Sequence, residues 1–276
     1  QGVVDRMTDY LVRWNANCGG PFATSKQTDQ LLESTHQAMA DFLHASSSRE
    51  IVFGQNMTSL TFALSRALGH RLKPGDEIVV TRMDHDANIR PWVRLAEDTG
   101  AIVRWLDFDP GEARLRVDQL DELLNERTKI VAVGMASNLL GTVNPISEIA
   151  KKVHRFEALL FVDAVHYAPH GVIDVNQLGA DFLVCSPYKF FGPHQGVLWG
   201  KAELLETLPA YRVKPAGETL PGKFETGTQN HEGQLGVLGA IDYLEWLGRE
   251  FGGENDTDVL RTYSLRLAME AINRYE

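Results

Sequence analysis

Short apolar, β-branched runs alternate along the chain with longer stretches whose apolar residues recur at helical spacing, the pattern of an α/β domain. The runs at 51–53, 77–81, 101–106, 129–133, 159–162, 182–185 and 196–199 predict strands. Several are apolar throughout, as strands covered on both faces require. Between them, Leu32, Thr35, Met39, Phe42 and Leu43 form one helical stripe, and Met57, Leu60, Leu64, Ala67 and Leu68 form another. Pro145 after Asn144 reads as the first helical residue behind a cap, opening a helix that buries Ile149, Ala150 and Val153. Lys73-Pro-Gly-Asp76 marks a turn before a strand. From His231 through Tyr275 the spacing is almost wholly helical. With no repeat, low-complexity tract or Pro/Ser-rich linker, the pattern describes one α/β domain with a helical exit.

Composition narrows the classes of activity. The 276 residues carry 27 Lys and Arg against 37 Asp and Glu, a formal charge of −10, and 43% are hydrophobic. That is ample material for a core, and it excludes a disordered chain. No apolar run approaches the roughly 20 residues that cross a bilayer. The acidic balance argues against nucleic acid as the partner, because phosphate contacts need clustered Lys and Arg. Two cysteines, Cys18 and Cys185, are too few to staple the chain and point to a reducing, cytoplasmic compartment. Residues 1–9 are polar and do not read as a signal peptide. Gln1 in place of Met, and an end inside a helical pattern, suggest a chain cut at both ends.

The densest chemical signal is Phe161-Val-Asp-Ala-Val-His166 followed by Cys185-Ser-Pro-Tyr-Lys-Phe-Phe-Gly-Pro-His-Gln-Gly196. One apolar strand ends in Asp163; another ends before Ser186 and Lys189. Ligand sites of open α/β sheets gather outside the carboxyl ends of such strands. The aromatic, Pro/Gly-rich turn around Lys189 is expected to desolvate its ammonium partly and free the amine to attack a carbonyl. A surface ion pair is the plain alternative for Asp163 and Lys189. Upstream, Gly54-Gln-Asn-Met-Thr-Ser59 leads from a strand into a helix whose N-terminal N–H groups suit an anion. Asn56 and Thr58 also read as ordinary caps. His85 lies between two acids after the second strand, and Asn138 follows the fourth strand in a turn before Gly141.

These motifs, in this order from Asn15-Ala-Asn-Cys-Gly-Gly20 to Thr226-Gly-Thr-Gln-Asn230, resemble fold type I pyridoxal-phosphate enzymes, specifically the class V aminotransferase and cysteine desulfurase-like family. The resemblance implies a pyridoxal-phosphate transferase-like large domain, with a mostly parallel mixed sheet between helices. It implies pyridoxal 5′-phosphate as cofactor, with Lys189 forming the Schiff base and Asp163 holding the pyridine nitrogen protonated. A carboxylate beside that nitrogen makes the ring a better electron sink. By the same resemblance, Met57 (through its backbone N–H), Thr58, Ser186 and Tyr188 bind the phosphate. His85 stacks on the ring, while Asn138 and His166 lie near the phenolic oxygen. Tyr188 departs from the usual His, although its hydroxyl is also a donor. Thr228 matches a loop that reaches the phosphate of a neighbouring subunit, implying a homodimer with shared sites. The substrate implied is an amino acid.

The resemblance assigns residues 1–250 to the large domain, with an N-terminal segment 1–28, and 251–276 to a helix leading to a small C-terminal domain that the sequence lacks. Transamination, desulfuration, C–S lysis and epimerisation share the first step and stay open. Cys18 is a remote candidate for a persulfide carrier, and Cys185 is expected in the core. Two other classes compete. One is a metal-dependent hydrolase using Asp84, His85, Asp86, His166 and His170. The other is a catalytically silent relative that keeps only the fold.

Overall fold

The computed structural model describes residues 1–251 and 266–271. Seven of its nine strands form one sheet: β1 (Ile51–Gly54), β2 (Glu77–Thr81), β3 (Ile102–Leu106), β6 (Thr128–Gly134), β7 (Leu159–Asp163), β8 (Phe182–Cys185) and β9 (Gly196–Gly200). They fall where the seven apolar runs predicted strands, with ends shifted by a residue or so. The sheet order is β1-β9-β8-β7-β6-β2-β3. β8, β7, β6, β2 and β3 pair in parallel, and β9 pairs antiparallel with both β1 and β8. Only β9 therefore runs against the rest, which makes the sheet mixed and mostly parallel. A short hairpin of β4 (Phe108–Asp109) and β5 (Arg114–Leu115) stands apart; two-residue strands leave no periodicity to read.

Alternating side chains of each strand enter two cores. Val131, Val133, Leu160, Val162, Leu183 and Cys185 face one side, where α2 (Ala23–Leu43), α6 (Ile146–His154) and α9 (His231–Phe251) pack. Ile130, Ala132, Phe161, Phe182 and Val184 face the other, against α3 (Met57–Gly69), α4 (Arg90–Thr99) and α8 (Ala202–Thr207). Burial on both faces explains why these strands read as unbroken apolar runs. The short helices α5 (Leu120–Leu123) and α7 (Val175–Leu178) finish connections. The polar opening stretch folds as α1 (Gly2–Asp9), which runs into a π-turn at Tyr10–Trp14. It lies on α9, and Arg6 grips Asp242 at 2.7 Å.

The helix expected to start at Pro145 behind an Asn144 cap starts one residue later. Pro145 stands at the N-cap and its carbonyl accepts from Ile149 N–H at 3.1 Å. The Asn144 amide instead donates to the Gly134 carbonyl at 2.7 Å, so a buried tertiary contact takes the side chain that local sequence offered as a cap. Ile149, Ala150 and Val153 are buried as the stripe required. At Lys73-Pro-Gly-Asp76 the turn forms, with Gly75 at φ 87°, a conformation glycine adopts without strain. The expected helical exit holds over His231–Phe251 and again over 266–271; the rest of 251–276 lies outside the described residues.

Candidate active site

All six strands that run together end at one edge of the sheet, and a cavity of about 280 Å³ opens there. Nine of the ten residues expected at the site line it: Met57, Thr58, His85, Asn138, Asp163, His166, Ser186, Tyr188 and Lys189. They arrive from the start of α3 and from the ends of β2, β6, β7 and β8, which is why the sequence scatters them. Thr228 does not line this cavity; it lines two others, one beside Ser59, His194 and Asn230 and one beside Cys18 and His231.

The helix α3 reaches the cavity with its N-terminus. Asn56 caps it: its side chain accepts from Ser59 N–H at 2.8 Å, and Ser59 Oγ accepts from Asn56 N–H at 3.3 Å. This box takes up two orphan N–H groups and leaves those of Met57 and Thr58 on the cavity side of the first turn. Asn56 is thus the cap that the plain reading allowed, and the two residues after it are the candidate anion donors. The helix comes this close because β1 and β9 carry glycine at paired positions, Gly54 opposite Gly196. A Cβ on Gly196 would stand 2.6 Å from Met57 N.

Asp163 ends β7 at 9% exposure, and its Oδ1 accepts from Val165 N–H at 2.9 Å. Burial pushes its carboxyl up to about 6, against the pull of the Val165 N–H. An acid held there is poised to take a cationic N–H, whose charge would restore the carboxylate. The Nδ1 of His85 accepts from Ala87 N–H at 3.1 Å, which leaves the ring proton on Nε2. Burial, with the neighbouring His170 and Lys189, lowers the pKa of His166 from its ordinary imidazole value. Tyr188 stacks on His194 with ring centroids 5.1 Å apart, and its ring lies 5.3 Å from the Lys189 ammonium.

Three expectations change. Lys189 is exposed at the cavity: Phe190 turns into the core while Tyr188 and Lys189 face out, so the turn does not desolvate the amine. The metal-site alternative fails on geometry, because among the described residues no three His, Cys, Asp or Glu side chains gather as ligands. Asp84, His85 and His166 line the cavity, but Asp86 turns outward to Arg90 and His170 stays outside. Cys18 lies away from the cavity, its Sγ 3.6 Å from His231 Nε2, and burial with the charge of Asp29 pushes its thiol up to about 11. Such a thiol keeps its proton and is a poor nucleophile. Cys185 is in the core as expected.

Asp84 is the cavity residue that sequence reasoning missed as anything but a metal ligand. Its signal was present, an acid directly before the candidate His85, but nothing local said that it faces inward while Asp86 faces out.

The sequence model of the family described as Aminotransferase class-V matches residues 1–268. The chain belongs to this family. Among curated relatives, this class V aminotransferase-family chain is 35% identical over 288 aligned residues to a probable cysteine desulfurase of Halalkalibacterium halodurans, covering 99% of the chain and 68% of the relative. It is 37% identical to a cysteine desulfurase of Dickeya dadantii, covering 89% of the chain and 63% of the relative. Among solved structures, the apo cysteine desulfurase of Thermococcus onnurineus aligns with TM-score 0.84 at 30% identity, over 90% of the chain and 64% of that structure. The Escherichia coli cysteine desulfurase CsdA aligns with TM-score 0.80 at 28% identity, over 91% of the chain and 68% of that structure. The family member thus spans about two thirds of the length of these relatives. No helix among its described residues is long and apolar enough to cross a membrane.

Proposed function

We propose that the chain is the cofactor-binding part of a pyridoxal 5′-phosphate-dependent enzyme acting on an amino acid, with residues 1–250 as its large domain and Lys189 as the tethering amine. The observation that carries this reading is the meeting, in one cavity, of an exposed amine, a buried acid and a helix N-terminus. Those are the three partners a molecule with an aldehyde, a basic ring nitrogen and a phosphate needs. The cavity fits that donor set. Met57 and Thr58 offer first-turn N–H groups and a hydroxyl, Ser186 and Tyr188 add two hydroxyls, and Asp163 supplies a carboxylate. Bound there, the cofactor would supply an electron sink for a carbanion at the substrate Cα.

The chain's own residues do the rest. Lys189, its amine exposed at the cavity, would be the base that takes the substrate Cα proton, a step to which general bases contribute about 10²–10⁴-fold. Asp163 would hold the ring N–H and keep its positive charge. His85, its proton on Nε2 and its Nδ1 engaged by Ala87, would present a fixed face to the ring. Asn138 and His166 would serve the phenolic side as donors or acceptors. The names of the relatives favour cysteine as the amino acid and C–S cleavage as the outcome. Cys18, outside the cavity with its thiol raised, is not assigned as the sulfur acceptor. Thr228, outside its own protomer's cavity, is assigned to the cofactor phosphate of a second subunit in a homodimer.

The test is a mass spectrum after borohydride. Parent protein incubated with pyridoxal 5′-phosphate is expected to gain a visible absorption band that borohydride bleaches, leaving one reduced adduct on Lys189, and Lys189→Ala to gain neither. An adduct of equal yield in the variant, on another lysine, overturns the assignment.

A further inference from the structure

The space where a side chain would project from Gly134 is filled by a carboxylate. Gly134 stands beside Asp163 in the parallel register of β6 and β7, and a Cβ on it would meet Asp84 Oδ1 at 2.8 Å. The other oxygen, Asp84 Oδ2, accepts from Gly134 N–H at 2.8 Å and from Asn88 Nδ2 at 2.8 Å. Asn88 is fully buried, and its Oδ1 accepts from the Trp92 indole N–H at 3.3 Å. The carboxylate is thus gripped from the strand on one side and through Asn88 from α4 on the other. The result is two acids lining one cavity, Asp84 set against the residue that pairs with Asp163.

Burial drives the Asp84 carboxyl up to about 7; the Gly134 N–H opposes the rise and the charge of Asp163 adds to it. The other titratable groups that line the cavity with the pair are His85, on the same loop as Asp84, and His166, Tyr188 and Lys189 from the ends of β7 and β8; the Cys185 thiol lies behind Asp163 in the core. Two carboxyls that line one cavity and feel each other's charge in a low dielectric are coupled: ionising one disfavours ionising the other.

We propose that Asp84 is a positioning residue that acts through Asp163: the two carboxyls form one acid pair in the cavity, and Asp84 sets how tightly Asp163 holds a proton or a cationic N–H. With a pyridine-nitrogen cofactor bound, the charge of Asp84 adds to that of Asp163 in keeping the ring nitrogen protonated. That second consequence rests on the function proposed above; the pairing itself does not.

The experiment has two arms. In cofactor-free protein, the protonated-carboxyl infrared band is titrated in the parent, in Asp84→Asn and in Asp163→Asn. Asp84→Asn keeps an acceptor for Gly134 N–H and removes the charge. Asp163 is expected to titrate about one pH unit lower in that variant, a tenfold change in its proton affinity. In the second arm, pyridoxal 5′-phosphate labelled with nitrogen-15 in the ring is bound to each protein. The ring nitrogen of Asp84→Asn is expected to lose its proton at a pH about one unit lower than in the parent. Gly134→Ala, whose new methyl pushes the Asp84 carboxylate aside, is expected to move both titrations the same way and serves if Asp84→Asn does not fold. An Asp163 titration unchanged in both variants overturns the pair. Failure of the parent to bind the labelled cofactor overturns the functional reading instead, and the infrared arm then still decides on Asp84.

Discussion

Single side chains in this protein are set by what they are buried against. His36 shows it most sharply. Its Nδ1 lies 2.8 Å from the Leu32 carbonyl and its Nε2 lies 2.7 Å from Glu225 Oε1. Both neighbours only accept, so both ring nitrogens must donate and the imidazole is charged. Burial would lower its pKa, but the hydrogen bond and charge of Glu225 outweigh it and hold His36 above its ordinary value. Glu225 also accepts from Phe53 N–H at 2.8 Å, so the pair ties α2 and β1 to the loop that carries Thr228. Because the folded pKa is the higher one, this stabilisation is complete below the unfolded value of about 6.5 and fades as pH rises through the folded value. Removing one partner of a buried pair typically costs about 3–5 kcal/mol. Urea denaturation of Glu225→Gln and the parent at about pH 6 and about pH 9 is expected to show the larger deficit at the lower pH. An equal deficit at both would mean that the pair is not charged. His36 and Glu225 were not legible as a pair, because they lie 189 positions apart in the sequence.

At the scale of elements, glycines at the sheet edge decide what reaches the cavity. The apolar runs predicted all seven strands of the sheet, since unbroken hydrophobic stretches are what double-sided burial demands. They did not predict the approach of α3 to β9. Gly196 permits it, and a methyl at that position would press on the backbone of Asn56 and Met57. Gly196→Ala is expected to cost about 1–3 kcal/mol by overpacking and to weaken cofactor binding by displacing the first turn of α3. Thermal melts of the cofactor-free protein separate the first effect from the second, which fluorescence titration with pyridoxal 5′-phosphate reads. Unchanged affinity with lowered stability would show that the first turn does not hold the phosphate. The same scale explains the misplaced cap at Asn144. A local signal for a helix start was overridden by a buried carbonyl on β6 that offered the amide a better partner.

For the whole molecule, the open question is what completes the site. Thr228 lies on a different cavity from Lys189, so within one protomer the two do not meet. In the proposed homodimer they meet across subunits, and a mixing experiment follows. Thr228→Ala is expected to bind the cofactor about tenfold more weakly, the loss of one hydrogen bond to a charged group. Mixed dimers of Lys189→Ala with Thr228→Ala subunits contain one fully native site and are expected to recover parent-like affinity in half of their sites. Sedimentation at the same concentrations fixes the assembly. A monomer, or mixtures that behave as the sum of their parts, would return Thr228 to a structural role.

Taken alone, the amino-acid order determined the strands, the main helices and the residue types of the site. Apolar periodicity reports burial directly, and a Lys, an Asp and a helix start after apolar runs carry their chemistry in their identities. Tertiary structure alone decided which of those residues share a cavity. It turned Asp84 inward and Asp86 outward, left Lys189 open, sent Cys18 elsewhere and set Asp84 in the gap left by Gly134. The physical reason is range. Periodicity and capping act over a few residues, whereas desolvation, charge coupling and the room beside a glycine depend on neighbours that the chain brings together only when the sheet is assembled.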